Sequence, residues 1–178
     1  YATKETEGYV DFDYFKIEDK ISDCRWADVC YADDELEGHK LDIYLPDTGK
    51  SSHKVVVLIY GSAWFANNMK QNAFQVFGRS LLDKGFAVVS INHRSSRDAK
   101  FPAQINDVKA AIRFIRANAA KYKLDTSFIG ITGFSSGGHL ASLAGTTNGV
   151  KSYTIGDKTV DLEGNVGEYF SFSSRVDA

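Results

Sequence analysis

Cysteine is scarce in this sequence, with only Cys24 and Cys30 among 178 residues. Their spacing is neither that of a CxxC redox pair nor half of a zinc site, so we expect no metal site. If both lie on one strand, they are roughly 20 Å apart at ~3.3 Å per residue, which is too far for a disulfide. Only a hairpin between them would permit a disulfide, so the spacing predicts a structural or incidental role.

Excess charge of one sign and long apolar runs are also missing. The 23 acidic and 21 basic residues are interspersed and leave a net charge of −2, without the basic stripe that nucleic-acid binding requires. No run of about 18 apolar residues exists, so no membrane span is expected, and the polar first residues do not form a signal peptide. The hydrophobic content of 43% is enough for one buried core. We therefore predict a single domain over residues 1–178, with residues 1–20 as an N-terminal extension.

Strand and helix patterns alternate through most of the chain. Residues 9–17 and the two segments around the acidic turn before Pro46 indicate antiparallel strands at a sheet edge. The apolar runs that follow are typical of parallel strands buried on both faces, and they are residues 54–60, 86–92 and 127–132. Helical spacing occupies residues 71–85 and 102–122, and a small-residue helix follows the third run. This order predicts an α/β fold with right-handed crossovers and a polar loop region from Lys151 onward.

The segment GFSSGGHLASLAG contains the spacing Gly133-x-Ser135-x-Gly137 directly after an apolar strand and before a helix. In this context a serine stands on a tight strand-to-helix turn, where its hydroxyl is exposed and its backbone strained. The amide of Ser136 would then point from the helix N-terminus to the space above Ser135, where a developing negative charge is favoured. The pattern predicts Ser135 as a nucleophile.

The loop YGSAWF, residues 60–65, and several neighbouring motifs carry a family resemblance. The chain resembles α/β-hydrolases of the acetyl esterase and lipase type, whose oxyanion loop reads His-Gly-Gly-x-Trp, and most closely the esterases that remove acetyl or feruloyl groups from xylan. The motifs are LDIYLP, YGSAW, VVSINHR, FPAQINDVKAAIRFIRANAAKY and GFSSGGHLA, from about Lys40 to the end. The resemblance implies a three-layer fold, with an oxyanion hole built from the amides of Ser62, Ala63 and Ser136.

The chain departs from this family in three ways. Tyr60 stands where the family has His, and Ser62 stands where it has the second Gly. In addition, no acid and histidine follow Ser135 in the order the family requires, since the sole later histidine is His139 on the same helix. The resemblance therefore implies the N-terminal part of a longer hydrolase, truncated before the last strands and inactive alone. Its open sheet edge would receive the remainder of the protein or another chain.

Several other side chains have both a structural and a functional interpretation. Tyr60 and His93 are candidates for lining the pocket, although a structural role is favoured for His93. Trp64 and Phe65 either pack the loop onto the core, which is favoured, or contact an aromatic acyl group. Two further histidines, His39 and His53, fall in polar turns and are predicted to be solvated, and an Asp107–Arg94 pair is predicted to brace the loop after the second parallel strand.

Together these features predict a serine carboxylic-ester hydrolase that needs no cofactor and no metal. The resemblance implies acylated xylan or small esters as substrates and a secreted or periplasmic location. One alternative is an arylformamidase acting on N-formylkynurenine, because those enzymes share this style of oxyanion loop. The other is a non-catalytic carbohydrate-binding relative, motivated by Tyr60, Ser62 and the missing base.

Overall fold

A computed structural model describes residues 24–178, so the strand predicted over residues 9–17 lies outside the described part. The core is a five-stranded sheet in the order β1-β2-β4-β3-β5. Its strands are β1 (Cys24–Cys30), β2 (Lys40–Tyr44), β3 (His53–Ile59), β4 (Ala87–Ile91) and β5 (Leu124–Gly133). The helices are α1 (Lys70–Ala73), a π-helical turn (Phe74–Gly78), α2 (Arg79–Asp83), α3 (Ala103–Ala117) and α4 (Ser136–Thr146).

The strand directions confirm the predicted mixed sheet. β3 pairs in parallel with both β4 and β5, whereas β1, β2 and β4 pair antiparallel. In β4 every residue is buried, as the continuous apolar run requires for a strand covered on both faces. Both cysteines lie on β1 and are free thiols, so the pair lies on one strand rather than across a hairpin.

Helices cover both faces of the sheet, so the three-layer arrangement is confirmed. On one face α3 presents Ile105, Val108, Ile112 and Ile115, all fully buried, against alternate residues of the strands. Burying each such side chain contributes roughly 1.5–3 kcal/mol. On the other face the helical segment that begins at Lys70 packs on the remaining strand residues and ends at Asp83, and Gly85 in the turn after it has a φ of +84°, which suits glycine.

The segment after α4 corrects the prediction of a polar loop. It contains a two-stranded antiparallel hairpin, β6 (Ser152–Ile155) and β7 (Lys158–Asp161). The connection is the two-residue turn Gly156-Asp157, with Gly156 at φ +60°. A Gly-Asp pair between alternating residues is a hairpin signal, so this element was recognisable from the sequence.

Buried cations on α3 hold this segment against the domain. Lys109 donates to the carbonyl oxygens of Thr147 at 3.2 Å and Val150 at 3.0 Å, and Arg113 pairs with Glu163. α3 is buried on nearly every side, and these bonds satisfy its buried charged residues Lys109 and Arg113. A buried charge is tolerated only when it is paired and hydrogen-bonded in this way.

β5 is the edge strand beside the site, and the last residues of the chain bond to it. The amide of Asp177 donates to the carbonyl oxygen of Ile129, and the amide of Ile131 donates to that of Ala178, both at 2.8 Å. The β5 edge, which we expected to be uncovered, is therefore hydrogen-bonded over a short stretch by residues 177–178.

Between residues 24 and 178 no helix has the length and apolar character needed to cross a membrane.

We predict that Gly137→Ala destabilises the protein by at least about 3 kcal/mol, because the added methyl group would overlap the carbonyl oxygens of Ile59 and Tyr60, and backbone cannot move aside cheaply. Gly145→Ala on the same helix is the matched control, since nothing lies within 4 Å of a methyl group there. That control should be neutral or stabilising by up to about 1 kcal/mol. Denaturant unfolding of both variants checks this, and equal stabilities would contradict it.

Candidate active site

Ser135 lies on the turn between β5 and α4 and is exposed. Its backbone angles are φ 53° and ψ −127°, a sparsely populated region for a residue with a side chain. The predicted position and strain of this serine are therefore confirmed. A strained residue persists only where its surroundings enforce it. Here the close backbone packing that Gly133 and Gly137 permit enforces it.

The glycines flanking Ser135 allow β5, α4 and β3 to approach one another closely. A methyl group at Gly133 would lie 2.6 Å from the carbonyl oxygen of Ile59 and 2.6 Å from the carbonyl carbon of Gly137. Both distances are shorter than any real contact of a methyl carbon. Only glycine fits at these positions, which explains the G-x-S-x-G spacing in physical terms.

The loop after β3 lies directly beside Ser135. A methyl group at Gly61 would be 2.7 Å from the Cβ of Ser135, so the two backbones are in contact. The loop then turns tightly: Ala63 and Trp64 have φ values of 48° and 61°, and the amide of Phe65 donates to the carbonyl oxygen of Ser62 at 2.9 Å. The loop thus faces the serine, as predicted.

Two of the three expected oxyanion donors are free. Within residues 24–178 the amides of Ala63 and Ser136 have no hydrogen-bond partner, and neither does the Ser135 hydroxyl. The amide of Ser62, by contrast, donates to the Ser136 hydroxyl at 2.9 Å. The expectation of three free amides therefore fails at Ser62, because a neighbouring side chain occupies that donor. Convergence of the free amides on one point stays a prediction.

Tyr60 braces the loop that follows β3. Its hydroxyl donates to the carbonyl oxygen of Ala66 at 3.0 Å and lies 3.4 Å from that of His93, which shares the same proton, and its ring stacks on the His93 ring with centroids 4.8 Å apart. Both side chains are fully buried, so neither lines an open pocket, and that expectation is wrong. Burial raises the pKa of Tyr60 and lowers that of His93, so both are neutral near pH 7.

The rings of Trp64 and Phe65 contact different side chains. Trp64 packs edge-on against the His139 ring, with centroids 5.4 Å apart. Phe65 is 60% exposed, and the Arg97 guanidinium lies over its ring at 5.6 Å. Trp64 is itself 37% exposed and its ring partner His139 is also exposed, so the favoured prediction that these two side chains pack the loop onto the core is wrong for both.

No histidine ring of residues 24–178 lies within hydrogen-bond distance of the Ser135 hydroxyl. His139 is exposed on α4 and contacts Trp64. His39 and His53 are 2% and 4% exposed, which corrects the prediction that they are solvated. His53 is the first residue of β3 and His39 directly precedes β2, so both lie at strand ends inside the domain, a burial that turn-like composition does not reveal.

A buried carboxylate organises the loop after β4. Asp107, fully buried on α3, accepts from the Arg94 amide at 2.8 Å and from its Nη2 at 2.6 Å, so the predicted brace is confirmed. His39 joins the same group with Nε2 3.2 Å from Asp107 and Nδ1 2.6 Å from Asp34. Sequence analysis missed this Asp34–His39–Asp107 network, because Asp107 lies 68 positions from His39 and the three residues match no motif.

The fold and the strained serine facing an amide-bearing loop define an α/β-hydrolase of the esterase type. The chain belongs to the BD-FAE family, whose profile matches residues 41–178. Among curated proteins, it is 42% identical to Esterase LipQ of Mycobacterium tuberculosis over 90 residues, or 51% of this chain and 21% of that protein. It is 37% identical to the probable carboxylic ester hydrolase LipM of the same organism over 68% of this chain and 28% of that protein.

Solved structures match over more of the chain. A protein described as bifunctional GH43-CE from Bacteroides eggerthii is 91% identical, with a TM-score of 0.86 over 90% of this chain and 22% of that one. A truncated form of a carbohydrate esterase from gut microbiota is 63% identical, with a TM-score of 0.84 over 85% of this chain and 53% of that one. The chain thus spans about a fifth to a half of these relatives.

The His39 network predicts a pH-dependent stability. Burial lowers the pKa of His39, but hydrogen bonds and charges of Asp107 and Asp34 outweigh it and raise the pKa above the ordinary 6.5. The stabilisation is therefore fully present below about pH 6.5 and is lost as the pH rises through the higher folded-state pKa. We expect His39→Gln to cost about 2 kcal/mol near pH 6 and clearly less near pH 9.

Denaturant unfolding across this pH range measures the effect, with His139→Gln on the protein surface as the matched control. A stability loss for His39→Gln that is constant or grows with pH would contradict the assignment.

Proposed function

We propose that Ser135 is the nucleophile of a carboxylic-ester hydrolase. The observation that carries this proposal is the strained, exposed Ser135 beside two unpartnered amides, those of Ala63 and Ser136. Ser136 is buried, and buried backbone amides are normally paired, so its free donor next to an exposed hydroxyl is typical of an oxyanion site. The esterase names of the relatives support the same reaction class.

In this mechanism the Ser135 hydroxyl attacks the ester carbonyl carbon, and its proton passes to a base. The carbonyl oxygen becomes an oxyanion that accepts from the Ala63 and Ser136 amides, aided by the N-terminal dipole of α4. As the intermediate collapses, the protonated base returns the proton to the departing oxygen, the alcohol leaves, and water then hydrolyses the acyl-serine. All four histidines lie in the described residues and away from Ser135, so we assign the histidine and its acid to protein outside this chain.

The proposed substrate is an acylated plant polysaccharide of the xylan type. Two structures that match 90% and 85% of this chain carry the words CE and carbohydrate esterase in their descriptions, which supports a sugar-linked ester. A secreted or periplasmic location suits a substrate of that size. Acetylated xylan, methyl ferulate and N-formylkynurenine, assayed side by side on the protein that carries this chain, separate this substrate class from the arylformamidase alternative.

A second candidate is a carbohydrate-binding relative without catalysis. The observation that favours it is that Ser135 has no base among residues 24–178. Binding of xylan oligosaccharides by the full-length protein, without release of acetate or ferulate from acylated xylan, would establish it.

For the full-length protein we predict that Ser135→Ala lowers the kcat for 4-nitrophenyl acetate by at least about 1,000-fold, as loss of a nucleophile does, with an unchanged unfolding midpoint. Ser142→Ala, an exposed serine on the same helix, is the matched control and should retain full activity. Turnover by Ser135→Ala at the parent rate would exclude this residue as the nucleophile.

A further inference from the structure

The hydroxyl of Ser136 makes a contact that the proposed reaction does not use. It accepts a hydrogen bond from the Ser62 amide at 2.9 Å, across 74 positions of sequence. Ser136 is 4% exposed, whereas Ser135 beside it is exposed. The hydroxyl therefore lies beneath the loop that follows β3 rather than in the open space above the nucleophile.

This loop needs such an anchor because its backbone is strained. Ala63 and Trp64 are consecutive non-glycine residues with positive φ, a conformation that persists only when surrounding contacts enforce it. The carbonyl oxygen of Trp64 accepts from the Ser96 amide at 2.7 Å, and the Trp64 ring rests on His139. These contacts anchor the far side of the turn.

The near side of the turn is anchored through Ser62. Its carbonyl oxygen accepts from the Phe65 amide at 2.9 Å, which only closes the turn on itself. The bond from the Ser62 amide to Ser136 instead joins the turn to the residue that follows the nucleophile. Ala63, with its free amide, lies between these two anchored positions.

We propose that Ser136 is a positioning residue, whose hydroxyl sets the distance between the Ala63 amide and Ser135. This inference rests on the proposed esterase function and adds a role for a side chain to it. Ser136 then acts twice: its amide faces the oxyanion, and its hydroxyl holds the partner amide in place. Ser62 contributes its amide to this brace instead of to the substrate.

The rival interpretation is that the Ser136 hydroxyl blocks the site by occupying a donor meant for the oxyanion. The two interpretations predict opposite effects of Ser136→Ala. Loss of a brace lowers kcat, because a misplacement of about 1 Å costs up to about 100-fold. Removal of a blocking group frees the Ser62 amide as a third donor and raises kcat.

The test measures kcat and KM of the full-length protein with 4-nitrophenyl acetate. For Ser136→Ala we expect kcat to fall about 10- to 100-fold with KM within about 2-fold, since the amides act on the tetrahedral intermediate rather than on bound ester. Ser136→Thr keeps the hydroxyl and should recover most of the loss, and Ser142→Ala is the matched control. An unchanged or raised kcat for Ser136→Ala overturns the proposal.

A second readout does not depend on ester turnover. Amide hydrogen exchange at Ser62 should be slow in the parent and in Ser136→Thr, and at least about 10-fold faster in Ser136→Ala. If the parent hydrolyses no ester, the proposed function fails while this exchange measurement still tests the brace. Equal exchange at Ser62 in the parent and Ser136→Ala overturns the brace even if the enzyme is active.

Discussion

The close approach of three backbones at Ser135 is the constraint on which the site depends. β5 ends at Gly133, α4 begins at Ser136, and the carbonyl of Ile59 at the end of β3 lies against both Gly133 and Gly137. Because no side chain fits between these segments, the turn must be tight, and the serine is driven into an unfavourable conformation. The packing of the buried sheet offsets the energetic cost of the strained Ser135 backbone. The result is an exposed hydroxyl in a fixed direction.

The loop after β3 depends on the same constraint. It leaves the sheet beside the turn, and the absence of a side chain at Gly61 lets it contact Ser135. Tyr60 below and Ser136 beside it then hold its position. In place of the histidine and second glycine of related loops, this chain uses a buried phenol and a hydroxyl–amide hydrogen bond, which hold a strained turn without the freedom of glycine.

A second rigid centre supports the neighbouring loop. Asp107 receives two groups of Arg94 and one nitrogen of His39, so three chain segments meet at one buried carboxylate. Removing Arg94 would take the guanidinium away from a fully buried carboxylate, which is costlier than losing a surface pair. The Ser96 amide, two residues beyond Arg94, donates to the Trp64 carbonyl oxygen, so this centre also helps to hold the loop after β3.

Local pattern determined the parallel strands, the α3 stripe and the position of Ser135, because hydrophobic period and glycine spacing act over a few residues. The Gly156-Asp157 pair is also a local hairpin signal. Tertiary structure alone decided the burial of His39 and His93 and the bond between Ser62 and Ser136. The burial of the two histidines depends on which other segments of the chain pack over them. The hydrogen bond depends on a hydroxyl meeting an amide 74 positions away in the sequence. Such encounters follow from the packing of the whole domain, which no local pattern encodes.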